Sequence, residues 1–498
     1  MAKKITAKKF TLNVVVSIVA QIVSLAVGFI LNLIVPKFID YSQYSYWQTY
    51  TLYISYVGVL HFGLLDGIVL RYSQYDYDEL DKARLRSQFK ILLAFTCVMT
   101  VLTAAVSLIA VGGTTKIIII LVAVGIVTKN LVTYSSYTFQ ITNRITKYAI
   151  LTIAQKLIYG LIVAILLICK VNDFIWYCVA DLAGDLTSFA LASVFNRGLY
   201  FGKSIKLREA LKEVKINVAS GIILMLANWS STLIINGAKM IVQWRWGDLF
   251  GKVAFAFSLA NLFLTFITAA SVVLFPSLKR LDKDKLPALY KNMRDVLSPL
   301  LLFCLLFYFP GCAILKLWLP NYSESLVYLG ILMPIIIFTS KVNLLTNNYL
   351  KAYRKEKSLL IVNLISVALG AALFFTCAYG FGNLTALLIS IVCVLIFKSV
   401  LSEIIVLRII KVRIVADFFV EIIMVAGFIL AVKLLSFWWG CLAYVVLYIC
   451  YCAYNYKTFV KLFKKVFRKG KEISAETENG TSEPVEETEQ EKEILKGD

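Results

Sequence analysis

Five lysines stand inside apolar runs long enough to cross a membrane: Lys129 in "VGIVTKNLVTY", Lys156, Lys239, Lys341 and Lys398. An ammonium group at the centre of a bilayer costs at least about 2.5–3.5 kcal/mol, so each needs a buried acid, a water-filled cavity or an anionic ligand. Asp181 and Asp185 lie at comparable depth, four residues apart and so on one helical face. Depth alone allows Asp181 to meet Lys129 and Asp185 to meet Lys156. The second half offers no acid at the depth of Lys341, because Glu403 lies nearer the membrane face. The midplane therefore reads as net positive, and the chemistry this suits is holding an anion. The plainer alternative makes each lysine the structural partner of a buried acid. Asp181 and Asp185 are also candidates for proton or sodium coupling. Asp66 and Arg71 in "GLLDGIVLRY" are candidates for a gate, or for an ordinary interfacial pair. His61, the only histidine, titrates near neutrality in water, with helix packing as its plainer role.

Composition sets the solvent in which these charges sit. Hydrophobic residues make up 60% of the 498 positions and charged residues 16%, with a mean hydropathy of +0.79, too little polar surface for a water-soluble globule. Apolar runs of the length a helix needs to cross the hydrocarbon recur about fourteen times. They run approximately over residues 10–35, 47–70, 89–111, 117–142, 148–169, 174–195, 214–241, 249–278, 296–317, 325–350, 358–379, 384–410, 414–435 and 437–456, the last boundary falling in "LLSFWWGC". The expected fold is an all-α integral membrane protein with about fourteen transmembrane helices. At 1.5 Å per residue, Lys129 and Lys341 each lie about 20 Å from the same end of their spans.

The net charge of +21 does not point to nucleic acid, because the basic residues alternate by loop. Lys82, Arg84, Arg86 and Lys90, then Arg144 and Lys147, then Arg197 to Arg208, then Lys279 to Lys285, then Lys351 to Lys357, then Arg408 to Arg413 fall on one side, and the loops between them are short and sparsely charged. This positive-inside pattern places both termini in the cytoplasm. "MAKKITAKKF" leads into a span without a signal-peptidase site, so span one is expected to remain. The ten cysteines show neither metal-ligand spacing nor a disulfide pattern. No metal or organic cofactor is expected. Residues 458–498 read as a basic, then acidic, disordered cytoplasmic tail.

An internal repeat organises the spans. "YTFQITNRITKYAILTIAQKLIYG" overlays "NNYLKAYRKEKSLLIVNLISVALG" at a constant offset of 210, placing Arg144 on Arg354, Lys147 on Lys357 and Gly160 on Gly370. "KKFTLNVVVS" and "KEVKINVASG" match more loosely, at an offset of 204. The implied division is a six-helix lobe over 1–212, a second over 213–413, two added helices over 414–457 and the tail. Six is even, so the lobes share orientation, the plan of two-lobed transporters.

The segments "GFILNLIVPKFIDYSQYSYWQTY", "GLLDGIVLRYS", "LFGKVAFAFSLANLFLTFITAASVVLFPSLKRL" and "YLKAYRKEKSLLIVNLISVALG" resemble those of bacterial polysaccharide-biosynthesis flippases. These are the Wzx-type transporters of O-antigen or capsule repeat units, in the multidrug/oligosaccharidyl-lipid/polysaccharide exporter (MOP) superfamily. The resemblance implies a non-enzymatic flippase of the bacterial inner membrane that moves an undecaprenyl-pyrophosphate-linked oligosaccharide by alternating access. It also implies a central cationic cavity, and membrane lipids and a polysaccharide polymerase as partners. Asn228, Trp229, Asn236, Asn343 and Asn347 are then candidates to meet sugar. Lipid II flippases and drug or cation antiporters of the same superfamily are the alternatives. The former carry charged residues in helix one, where Asn13 to Val35 has none, and the latter rely on acidic cavities.

Overall fold

The structure is a computed structural model that describes residues 7–280, 286–353, 355–411 and 416–456. Arg354 of the repeat, several of the basic loop residues and the acidic tail lie outside the described residues. The described residues are helical throughout, with no strand. A bilayer leaves no alternative to a helix or a closed barrel, because each backbone polar group must find its partner within the span.

We number the helices after the spans: α1 Val15–Phe38, α2 Tyr41–His61 with Leu64–Tyr72, α3 Lys82–Ala110, α4 Gly113–Ile141, α5 Ile145–Ile168, α6 Phe174–Phe195, α7 Leu207–Arg245, α8 Gly247–Arg280, α9 Leu286–Trp318, α10 Pro320–Leu332 with Ile335–Ala352, α11 Lys357–Gly380, α12 Leu384–Ile410, α13 Ala416–Leu434 and α14 Phe437–Tyr454. Eleven are long and apolar enough to cross a membrane, and thirteen when each bent pair is taken as one span. The remaining helix, α13, falls where the sequence places span thirteen. Short polar side chains cap several starts: Asp81 accepts from the Arg84 amide, Asp173 from Ile175 and Asn383 from Ala386. At "LLSFWWGC" the chain breaks cleanly, with α13 ending at Leu434 and α14 beginning at Phe437.

Large apolar side chains such as Val101, Leu161, Ile165 and Val194 are exposed on the outer surface. In lipid that arrangement carries no penalty. Two spans are broken. Proline at position 334 accounts for the 43° bend of α10, because it cannot continue the hydrogen-bond ladder. The 55° bend of α2 has no proline; Phe62 and Gly63 turn it through left-handed backbone at φ 48° and 80°.

Between the first six helices and the next six, contacts close the seam at both ends. At the sparsely charged end, the Tyr41 hydroxyl donates to the Asp248 carbonyl and the Trp318 indole to that of Leu33, with the Lys37 ammonium 3.3 Å from the Trp318 ring centre. Tyr44 and Phe255 pack edge-on and tilted against Tyr322. At the basic-loop end, α2 meets α7 backbone to backbone. A methyl group on Gly67 would overlap the Asn217 carbonyl, and one on Gly221 would collide with the backbone of Gly63 and Gly67.

Candidate functional site

Lys129 is bound by two acids on the neighbouring helix α6. Its Nζ lies 2.8 Å from Asp181 Oδ2 and 2.9 Å from Asp185 Oδ2. The i,i+4 spacing of the two aspartates on one face permits this double contact. Asp181 also accepts from the Tyr50 hydroxyl, and Asp185 from Thr128 and from Gln155 at 2.6 Å. Asp185 is therefore committed to Lys129 and Gln155. Lys156, half-buried on α5, has no carboxylate at ion-pair distance among the described residues.

In the second half the expected excess of positive charge at Lys341 is not found. Lys341 Nζ lies 2.5 Å from Glu421 Oε2 and 3.0 Å from Glu403 Oε2. Arg294 Nε donates to Glu403 Oε1 at 2.5 Å, its Nη2 lies 3.6 Å from Glu421 Oε1, and Ser298 donates to Glu421. Two cations and two carboxylates thus meet, among the described residues, in one buried cluster from α9, α10, α12 and α13. Water is too remote to hydrate them, so buried charges of this kind survive only in paired sets. Glu403 reaches Lys341 because the side chains bridge the difference in depth between them. Glu421 escapes the repeat-based reading because it lies on a helix outside the repeat. Its signal was an acid in the middle of the apolar run "DFFVEIIMVAG".

Besides Lys156, two further lysines have no acid at ion-pair distance among the described residues. Lys398, 3% exposed on α12, donates at 2.7 Å to the Ser231 hydroxyl of α7. Lys239, half-buried on α7, stands 4.8 Å from the Phe257 ring centre on α8. Among the described residues neither has a carboxylate at ion-pair distance. A hydroxyl or an aromatic face only partly replaces hydration, so both ammonium groups keep unspent affinity for an anion.

Polar and aromatic groups of α2 and α7 meet across the seam. Tyr53 donates to Gln243 at 2.8 Å, Asn236 to Ser55 at 3.0 Å, and Tyr56 meets Trp229 with ring centres 5.9 Å apart. Asn347 donates to Asn343 within the π-helical turn Val342–Thr346 and its neighbour.

Arg71 and Asp66 do not pair with each other. Arg71 donates to Glu213 at 3.0 Å and to Asn217 at 2.6 Å on α7; Arg84 reaches the same Glu213, and Asn217 donates to Gln88 on α3. Asp66 instead faces His61, with Oδ2 3.8 Å from Nε2. The sequence gives no sign of Glu213 or Gln88, because both lie outside the runs that mark the spans.

No protein-family model matches the sequence, and no curated protein matches it. Solved structures do match in fold. A lipid II flippase, MurJ, in an inward closed conformation aligns with a TM-score of 0.60 at 12% identity, covering 90% of this chain and 100% of that one. An inward-facing multidrug resistance MATE family transporter of the MOP superfamily aligns at 0.57 and 13%, covering 80% and 98%. A MATE structure in complex with MaL6 aligns at 0.55 and 11%, covering 80% and 96%. An all-α membrane fold arranged as in these transporters is the architecture of this chain.

Proposed function

We propose that the chain is a MOP-type transporter of the bacterial cytoplasmic membrane, with both termini cytoplasmic, and that it moves an undecaprenyl-pyrophosphate-linked oligosaccharide to the outer leaflet by alternating access. The observation that carries this reading is the pair Lys398 and Lys239, two lysines within the spans of the second six helices that have no carboxylate at ion-pair distance among the described residues. A pyrophosphate supplies the counter-charge they lack, and in a low-dielectric seam that attraction is strong. The seam aromatics and amides, Tyr56, Trp229 and Asn236, suit a sugar, while the prenyl chain stays in lipid. Lys156 is the third candidate cation. Lys129 and Lys341 are already neutralised by carboxylates, which favours structural roles for them. A proton or sodium ion is the proposed driving ion, and a polysaccharide polymerase the proposed receiving partner.

The test is accumulation of lipid-linked oligosaccharide on the cytoplasmic leaflet. Lys398→Ala and Lys239→Ala should each accumulate it at undiminished membrane yield, and full export in the double variant would refute the assignment. Complementation of a lipid II flippase defect, rather than of repeat-unit export, would assign the cargo to the alternative.

A further inference from the structure

The bend of α2 is held by the chain's one histidine. The Gly63 amide donates to His61 Nδ1 at 3.1 Å, so the imidazole proton sits on Nε2, facing Asp66 at 3.8 Å. That bond satisfies an amide stranded where the first half of α2 ends and the second begins. It also holds Phe62 in left-handed backbone, a conformation a non-glycine residue keeps only where its surroundings fix it. Directly against this bend lies the tightest approach between α2 and α7, where Gly63, Gly67 and Gly221 leave no room for a methyl group.

We propose that His61 and Asp66 form a proton site that controls whether α2 and α7 remain closed at the basic-loop end. When a proton from solvent adds to Nδ1, both ring nitrogens become donors. The Gly63 amide then loses its acceptor, and the imidazolium gains an ion pair with Asp66. The bend loses its cap, and the glycine contact that depends on it loosens. Around the pair, α4 places Tyr137 and α7 the amide of Asn228 near Asp66, and α3 packs Phe95 against Phe62. Arg71 and Glu213 satisfy each other five residues beyond Asp66, and Lys129 is held by Asp181 and Asp185. The proposal deepens the transport reading, on which it rests for its biological meaning, since a proton that opens one end of the seam is a coupling ion.

The experiment reads conformation and needs no substrate. Spin labels at Leu70→Cys and Leu211→Cys, two exposed positions on α2 and α7, are placed in the full chain with its native cysteines replaced. Their separation is followed by electron–electron resonance from about pH 8.5 to about pH 3.5, a range that reaches well below that of an imidazole in water. The expected result is a lengthening as pH falls, with a single-proton midpoint. His61→Asn keeps an acceptor for the Gly63 amide but cannot be protonated, and should stay closed throughout. Asp66→Asn should shift the midpoint to lower pH, because the imidazolium loses its counter-charge. A pH-independent separation in the parent chain overturns the proposal without any variant having to fold. So does a transition that persists in His61→Asn. Either outcome leaves the transport reading standing, whereas failed export with an intact pH transition would count against that reading alone.

Discussion

Glu421 on α13 sits 2.5 Å from Lys341 on α10, so a carboxylate from beyond the first twelve helices neutralises a lysine within them. The contact makes α13 part of the second helical set's charge balance.

Removing that carboxylate should be costly. Glu421→Ala takes away a carboxylate that both Lys341 and Arg294 face, and breaking a buried pair this way costs about 3–5 kcal/mol. The expected outcome is low membrane yield and a lowered unfolding temperature. Lys341→Met combined with Glu421→Leu should recover much of the loss, because both charges leave together. A Glu421→Ala protein as heat-stable as the parent would show that the cluster contributes nothing.

Lys129 should behave as a structural residue. Lys129→Ala strands Asp181 and Asp185 in the interior, so yield should fall before any transport defect can be isolated. Adding Asp181→Asn and Asp185→Asn should restore folding, and export with it. If the triple variant folds but does not export, Lys129 returns to the substrate site.

Lys398 should show the opposite pattern. It is buried with no carboxylate at ion-pair distance among the described residues, so Lys398→Met should hold or raise the unfolding temperature, while export falls sharply. Calorimetry and the leaflet assay on the same preparation separate the two effects, and a matched fall in both would point to a merely structural lysine.

The glycine contact between α2 and α7 should tolerate no added methyl group. Gly67→Ala and Gly221→Ala each drive a Cβ into backbone that cannot yield, so the basic-loop end should open. The expected readout is faster labelling of a cysteine introduced at Asn217, which is fully buried in the closed seam. Unchanged labelling would mean that the seam opens elsewhere.

Topology is directly accessible. Ser323, exposed at the start of α10, should be labelled from outside sealed cells when changed to cysteine in a cysteine-free chain. Protection there would reverse the orientation drawn from the basic loops.

Helix positions were readable in the sequence because a span must be long and apolar, and that signal is carried by composition alone. The bend at Pro334 has a cause visible in the residue type, because proline cannot continue the hydrogen-bond ladder. The bend at Phe62 was not, because nothing in "LHFGLL" forces a phenylalanine into left-handed backbone. Pairing was the hardest part. The partnership of Lys129 with Asp181 follows from depth and adjacent helices, but that of Lys341 with Glu421 depends on how α13 packs back onto the second set. Depth along a span is one coordinate, and an ion pair needs three. Arg71 shows the same limit, since its partner Glu213 lies 142 residues away on a different span.

The order in which the chain is made gives the Glu421 contact a further meaning. Glu421 is encoded 80 residues after Lys341, and at about 5–20 residues per second a ribosome needs roughly 4 to 16 s to cover that distance. During that interval Lys341 lacks the carboxylate that meets it in the finished fold. A chain cut short before α13 would leave that ammonium without the Glu421 contact inside the bilayer, so the last pair of helices finishes the electrostatics of a helix made well before it.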